Sequence, residues 1–189
     1  MASIRGDMVG GLSTMLADRA AKPGLLTVDV VTFDDQIELA HTMADASSVT
    51  IELEPRGSTA LFDAIGIAVQ GFGAALTKLP EHARPGTVQV IVVTDGDENA
   101  SREYTAPAVR ALVTKQTEKY NWDFVFLGAN HDAVLAGAAL GFDAGSSLTY
   151  SASGDEVQAM SQSLSRYVSD VRRKKKRDFT DDERTGAVR

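Results

Sequence analysis

Val88–Asn99 reads VQVIVVTDGDEN, and its first half decides the fold. Val88–Thr94 is a short apolar run rich in β-branched residues, which suits a strand buried on both faces and stops at the Asp95-Gly96 turn. It reads as a central strand, so it needs further strands at its edges and helices over both faces. The flanking sequence supplies both. Asp123–Leu127 is a second apolar strand leading into LGAN, and Leu148–Tyr150 reads as the last one. Upstream, Leu25–Phe33 (LLTVDVVTF) is a strand candidate, and Gln36–Ala40 returns after the Asp34-Asp35 turn as a short edge strand, giving a hairpin. Thr42–Pro55 is polar and irregular.

Helical spacing fills the intervals. Ile4, Met8, Val9, Leu12, Met15 and Leu16 mark an opening amphipathic helix that ends before Pro23 and Gly24. Leu61, Ile65, Ala68, Val69, Phe72, Leu76 and Leu79 mark a second, with Ser58 and Thr59 placed to cap it. Thr105 and Pro107 suit the start of a third, running to about Tyr120. Asn130–Leu140 is a short Ala-rich helix closed by Gly141, and Ser153 with Glu156 is a capping-box pattern opening a helix that turns Val157, Met160, Leu164, Tyr167, Val168 and Val171 inward. Strands alternating with helices predict an α/β fold: a doubly wound, mostly parallel, Rossmann-like sheet with helices on both faces. Ligands bind such sheets at the carboxyl ends of the strands. Two loops stand out at that edge, Gly57–Ala60 (GSTA) and Thr94–Asn99 (TDGDEN).

The chain has 189 residues, 43% of them apolar and 24% charged, which suits one globular domain over residues 1–177 followed by a charged tail at 178–189. It contains no cysteine, so disulfides and thiolate metal sites are excluded. No basic leader precedes a long apolar run and no stretch is long enough to span a membrane, so the expectation is a cytoplasmic protein with no membrane partner. A net charge of -7 makes general nucleic-acid binding an unfavoured role. The run Arg172–Arg177 (RRKKKR) is the local exception, read either as an anion-binding patch or as the solvated, dipole-complementing end of the last helix.

Several residues carry no signal for a zinc site, a serine nucleophile or a dinucleotide. His41, His82 and His131 are scattered, Ser58 has no strand-nucleophile-helix setting, and the glycines near Gly71 and Gly96 form no dinucleotide fingerprint. Trp122 reads as core or interface packing.

The segments RGSTALFDAI (Arg56–Ile65), VIVVTDGDENASREYT (Val90–Thr105) and WDFVFLGANHDA (Trp122–Ala133) resemble the von Willebrand factor A family, especially its small bacterial and phage members. The resemblance runs through nearly the whole chain. It implies a metal-ion-dependent adhesion site on top of the sheet, built from an Asp-x-Ser-x-Ser loop after the first strand, a Thr in a second loop and an Asp in a third. By resemblance Thr59 and Asp95 are the second- and third-loop metal ligands, with Gly57, Ser58, Gly96, Asp97 and Asn130 on the ligand-binding rim. The chemistry is consistent: Mg²⁺, or Mn²⁺ in its place, takes oxygen ligands and keeps several waters, so one hydroxyl and one carboxylate on rigid strand ends suit it. The family completes the ion's sphere with an acidic residue from a protein partner.

Other readings stand beside these. Asp63 is either a supporting acceptor behind Thr59 or a stabiliser of the first helical turn. Asp97 and Glu98 are either an acidic rim or a solvated turn, and Asn130 is either a rim residue or a helix cap. The sequence departs from the family at its start, where the first, central strand and its Asp-x-Ser-x-Ser loop are missing. Met1–Asp7 reads like the continuation of that loop, which implies a reading frame starting upstream, by about ten residues for a strand and loop. The resulting expectation is a non-enzymatic protein-binding module with an incomplete Mg²⁺ site and weak or absent metal occupancy. The alternatives are a metal-independent scaffold or regulator, a subunit partnering an ATPase on another chain, and, least favoured, a metal-assisted hydrolase, since no base or nucleophile is paired with the acidic loop.

Overall fold

The computed structural model describes residues 2–129, 132–175 and 178–189. The chain forms an α/β fold with two separate sheets. After helix α1 (Arg5–Ala20), strands β1 (Thr27–Phe33) and β2 (Ile37–Asp45) make an antiparallel hairpin, paired from Phe33↔Ile37 to Thr27↔Asp45. Helix α2 (Leu61–Lys78) leads to β3 (Gln89–Thr94), α3 (Ala106–Tyr120), β4 (Asp123–Ala129), α4 (Ala133–Ala139), β5 (Ser147–Tyr150), α5 (Gly154–Arg172) and α6 (Asp181–Gly186). Strands β3, β4 and β5 form a parallel sheet in that spatial order. Among the described residues, no helix is long and apolar enough to cross a membrane.

The hairpin and the run of alternating elements match expectation, with two differences. The return strand β2 continues to Asp45, well past the expected Ala40. An irregular register near Val28–Val31 and a left-handed Met43 (φ 46°) carry it through Thr42–Ala44, where Asp29 Oδ1 accepts the Met43 N–H at 3.0 Å. The second difference concerns which strand is central. That place belongs to β4, every residue of which is buried, while β3 alternates between buried and half-buried positions. The cause is pairing: among the described residues β3 has a ladder on its β4 edge only, and β1 has one on its β2 edge only.

Side chains of the parallel sheet divide by the pleat between two cores. Val125, Leu127, Ala129, Leu148 and Tyr150 pack with Ile4, just before α1, with Met8 and Met15 of α1 and with Val157, Met160, Leu164 and Tyr167 of α5. Val90, Val92, Phe124 and Phe126 pack on the other face with Leu61, Ile65 and Val69 of α2, Val109 and Val113 of α3, and Ala133. Helices therefore cover both faces of this sheet. The α1–α5 contact is close at Gly11, where a Cβ would lie 2.1 Å from Ser161 Oγ.

The C-terminal segment, expected as a charged tail, is folded onto the domain. Phe179 is buried and stacks on Tyr167 at 5.0 Å between ring centroids. Thr180 and Glu183 form the capping box of α6, whereas the one expected at Ser153 does not form, because the Ser153 side chain makes no cap bond. Arg166 grips Glu183 Oε1 at 2.5 Å and Asp170 at 2.8 Å, Arg184 donates to Ser147 O at 2.8 Å, and Ser151 N–H donates to Ala187 O at 2.8 Å. These contacts cover the outer edge of β5. Arg172 and Arg173 of the basic run end α5, with Arg172 donating to Pro23 O, while Lys176 and Arg177 lie outside the described residues.

Candidate functional site

Three loops meet at the carboxyl ends of β1 and β3 around the first turn of α2. The hairpin turn is shaped by Asp34, whose Oδ1 accepts Gln36 N–H at 2.6 Å and whose carboxylate pairs with the Arg56 guanidinium. The Gln36 N–H first, with Arg56 adding its charge, holds the Asp34 carboxyl below the ordinary aspartate range. Asp34 O accepts Ala60 N–H at 2.6 Å, tying the end of β1 to the entrance of α2.

The Gly57–Ala60 loop is bonded reciprocally to the loop after β3: Thr59 N–H donates to Asn99 Oδ1 at 2.9 Å, and Asn99 N–H donates to Thr59 O at 3.0 Å. The two candidate ligand loops are thereby brought together. A Cβ on Gly96 would lie 2.6 Å from Thr59 Oγ1, so the Thr59 hydroxyl sits against Gly96, the neighbour of Asp95. Only a residue without a side chain allows that approach. The Asp95-Gly96 turn is fixed by Thr94, whose hydroxyl donates to Gly96 O at 3.0 Å and accepts Gly96 N–H at 3.3 Å. Tyr150, buried beneath, directs its hydroxyl toward Thr94 O at 3.5 Å. Thr59, Asp95, Gly96 and Ser58 are half-buried, while Gly57 and Asp97 are exposed. Asn130 and His131 lie outside the described residues.

One expectation about this region is corrected. Neither Ser58 nor Thr59 caps α2; the N-cap residue is Ala60, which offers no side-chain bond. The free N–H groups of the first turn are met from the opposite loop. Phe62 N–H donates to Glu98 Oε2 at 2.9 Å and Asp63 N–H donates to Ser101 Oγ at 3.1 Å. Glu98 also accepts from Ala100 N–H at 3.0 Å, Ser101 N–H at 2.8 Å and the Ser101 hydroxyl at 2.7 Å. Burial opposes its ionisation, but these donors outweigh that and keep the carboxyl below the usual glutamate range.

Asp63 has the complementary role. Its Oδ2 accepts Arg102 N–H at 2.7 Å, and its Oδ1 accepts Glu103 N–H at 2.9 Å and Tyr104 N–H at 2.7 Å. Against the burial penalty, these donors again hold the carboxyl low. Tyr104, so placed, lies on Gly66 of α2, where a Cβ would meet its ring carbons at 2.4–2.5 Å. Of the residues weighed from sequence, Glu98 is therefore a brace rather than a solvated turn, and Asp63 holds the far loop. Asn99 and Ser101 were not singled out. The signal was the density of short hydrogen-bonding side chains at Asp97–Ser101, which marks a loop able to satisfy its own backbone.

The chemistry of the pair at the top, one hydroxyl and one carboxylate, fits a hard divalent cation, whereas the protein donors are few. Among the described residues, no group of three or more His, Cys, Asp or Glu side chains is placed to hold a metal ion.

No family model matches the chain, and no curated protein matches it. Among solved structures it is similar to proximal thread matrix protein 1 from the mussel byssus, with a TM-score of 0.59, 18% identity, and coverage of 87% of this chain and 40% of that one. At that identity the likeness concerns the fold alone, and this chain spans about 40% of the mussel protein's length.

Proposed function

We propose that this chain is a von Willebrand factor A-type, non-enzymatic protein-binding module whose binding edge is centred on Thr59 and Asp95. The observation that carries the reading is the seating of Thr59 Oγ1 against Gly96, with the Thr59–Asn99 bonds locking the two loops. In this reading the two sheets belong to one doubly wound sheet, completed by a further parallel strand between the edges of β1 and β3 that carry no ladder among the described residues. That strand brings the Asp-x-Ser-x-Ser loop to the same edge. Thr59 and Asp95 would then hold Mg²⁺ together with that loop, and the bound ion supplies a Lewis-acid contact for an acidic side chain of a protein partner. Arg56, Asp97 and the half-buried Ser58 form the rim that such a partner meets.

Calorimetric titration with Mg²⁺ and Mn²⁺ tests this, on the present chain and on one extended by a strand and an Asp-x-Ser-x-Ser loop. The expected result is weak or no binding by the first and clear binding by the second, abolished by Asp95→Ala. Absence of binding by both would replace the proposal with a metal-independent scaffold.

A further inference from the structure

We infer that Glu98 is a positioning residue that caps α2 from across the site and so leaves the Thr59 hydroxyl against Gly96. The metal-related part of this inference rests on the function proposed above. A helix starts with N–H groups that lack intrahelical partners, and a Ser or Thr just before it is ordinarily drawn in to cap them. Here the sequence offers Ser58 and Thr59 for that task, yet Phe62 N–H goes to Glu98 Oε2 at 2.9 Å, and Asp63 N–H goes to Ser101 Oγ, itself held by the same Oε2 at 2.7 Å. The second oxygen, Oε1, fixes the loop's own backbone through Ala100 and Ser101. One carboxylate thus joins the loop after β3 to the first turn of α2, 36 residues away in the chain.

The arrangement requires a carboxylate. Both oxygens accept backbone N–H groups, so a glutamine in either orientation turns its own NH₂ toward at least one of those donors. Deprived of the brace, the first turn of α2 has free N–H groups that the Thr59 hydroxyl, two residues before Leu61, is drawn to cap, and that hydroxyl leaves Gly96.

The test compares Glu98→Gln with Val113→Ala, a buried-core substitution that lowers stability without touching either loop. Amide hydrogen exchange at Thr59 and Phe62 is read by NMR, and Mn²⁺ titration, with the same substitutions made in the chain extended by a strand and an Asp-x-Ser-x-Ser loop, is read by line broadening. The expected result for Glu98→Gln is exchange faster by about tenfold at both amides and Mn²⁺ binding weaker by a similar factor, as loss of one charge-assisted bond implies. Val113→Ala should change neither. Unchanged exchange at Thr59 in Glu98→Gln overturns the inference. Faster exchange with undiminished Mn²⁺ affinity overturns its metal-related part. Faster exchange together with an extended parent that binds no Mn²⁺ supports the brace and counts against the metal reading alone.

Discussion

Asp63→Asn changes one atom in a carboxylate that accepts three backbone N–H groups, from Arg102, Glu103 and Tyr104, at 2.7, 2.9 and 2.7 Å. The side chain is buried, with 6% exposure, so water does not replace a lost partner. Asparagine can leave its carbonyl oxygen at the Oδ1 position, facing Glu103 and Tyr104, but its NH₂ then opposes the Arg102 N–H. One charge-assisted bond is lost and two are weakened to neutral ones, for a cost of about 2–3 kcal/mol at pH 7. The pH dependence follows from the folded carboxyl being held below its unfolded value of 3.8. Its contribution is complete above the unfolded value and is lost as pH falls through the folded one. Urea unfolding of both proteins between pH 7 and pH 3 measures this. The expected outcome is a lower midpoint for Asp63→Asn at neutral pH, with the two curves converging in acid. A gap below about 0.5 kcal/mol at pH 7, or one unchanged down to pH 3, refutes the reasoning, since the former is the range of surface substitutions.

Gly66→Ala drives a methyl into the Tyr104 ring at 2.4–2.5 Å; the overpacking cost of about 1–3 kcal/mol exceeds the gain in helix propensity of about 1 kcal/mol, so differential scanning calorimetry should show a Tm lower by a few degrees. Gly96→Ala places a Cβ 2.6 Å from Thr59 Oγ1 and should part the two loops while leaving the sheet intact, visible as NMR shifts confined to residues 57–60 and 94–101. Unperturbed Thr59 resonances would contradict the close contact. Phe179→Ala removes a buried ring stacked on Tyr167, at a cost of about 3 kcal/mol, and should release the C-terminal segment locally; limited proteolysis should then cut between α5 and α6 while the sheet's amides stay protected.

The sequence made the elements legible wherever one physical signal dominated. Val88–Thr94 and Asp123–Leu127 were plain because β-branched and aromatic runs of that length have few alternatives, and α2 because its apolar spacing is sustained from Leu61 to Leu79. What escaped was set by distant partners. The rank of β3 and β4 within the sheet depends on which edges find ladders, which periodicity does not encode. Ser58 and Thr59 have the local signature of a cap, and the structure overrides it because Glu98 and Ser101, far along the chain, accept the N–H groups of Phe62 and Asp63. The C-terminal residues looked like a solvated tail because charge dominates there; Phe179 and Ala187, the two buried apolar anchors, are too sparse to register as a pattern. Thr59 and the Asp95-Gly96 turn were read from sequence as parts of one site, and Thr59 Oγ1 does lie against Gly96, but the residues that join the two loops were visible only as acidic and polar loop positions.

The bracing also explains how a site can stand at the edge of two sheets that share no ladder among the described residues. In a continuous sheet, strand pairing alone fixes the separation of neighbouring loops. Here β1 reaches β3 by a different route: Arg56 and Ala60 bond Asp34 at the end of β1, Thr59 bonds Asn99, and Glu98 bonds Phe62 beyond β3. All of these pass through the entrance of α2, which therefore serves as the fixed point of the site. The consequence is an asymmetry between the two ends of β1 and β3. Their carboxyl ends are tied through α2, whereas rigidity at their amino ends depends on core packing. On the proposed reading, a strand placed between β1 and β3 should stiffen the amino ends most and move Thr59 and Gly96 least, because the loops at the carboxyl ends are already joined through α2.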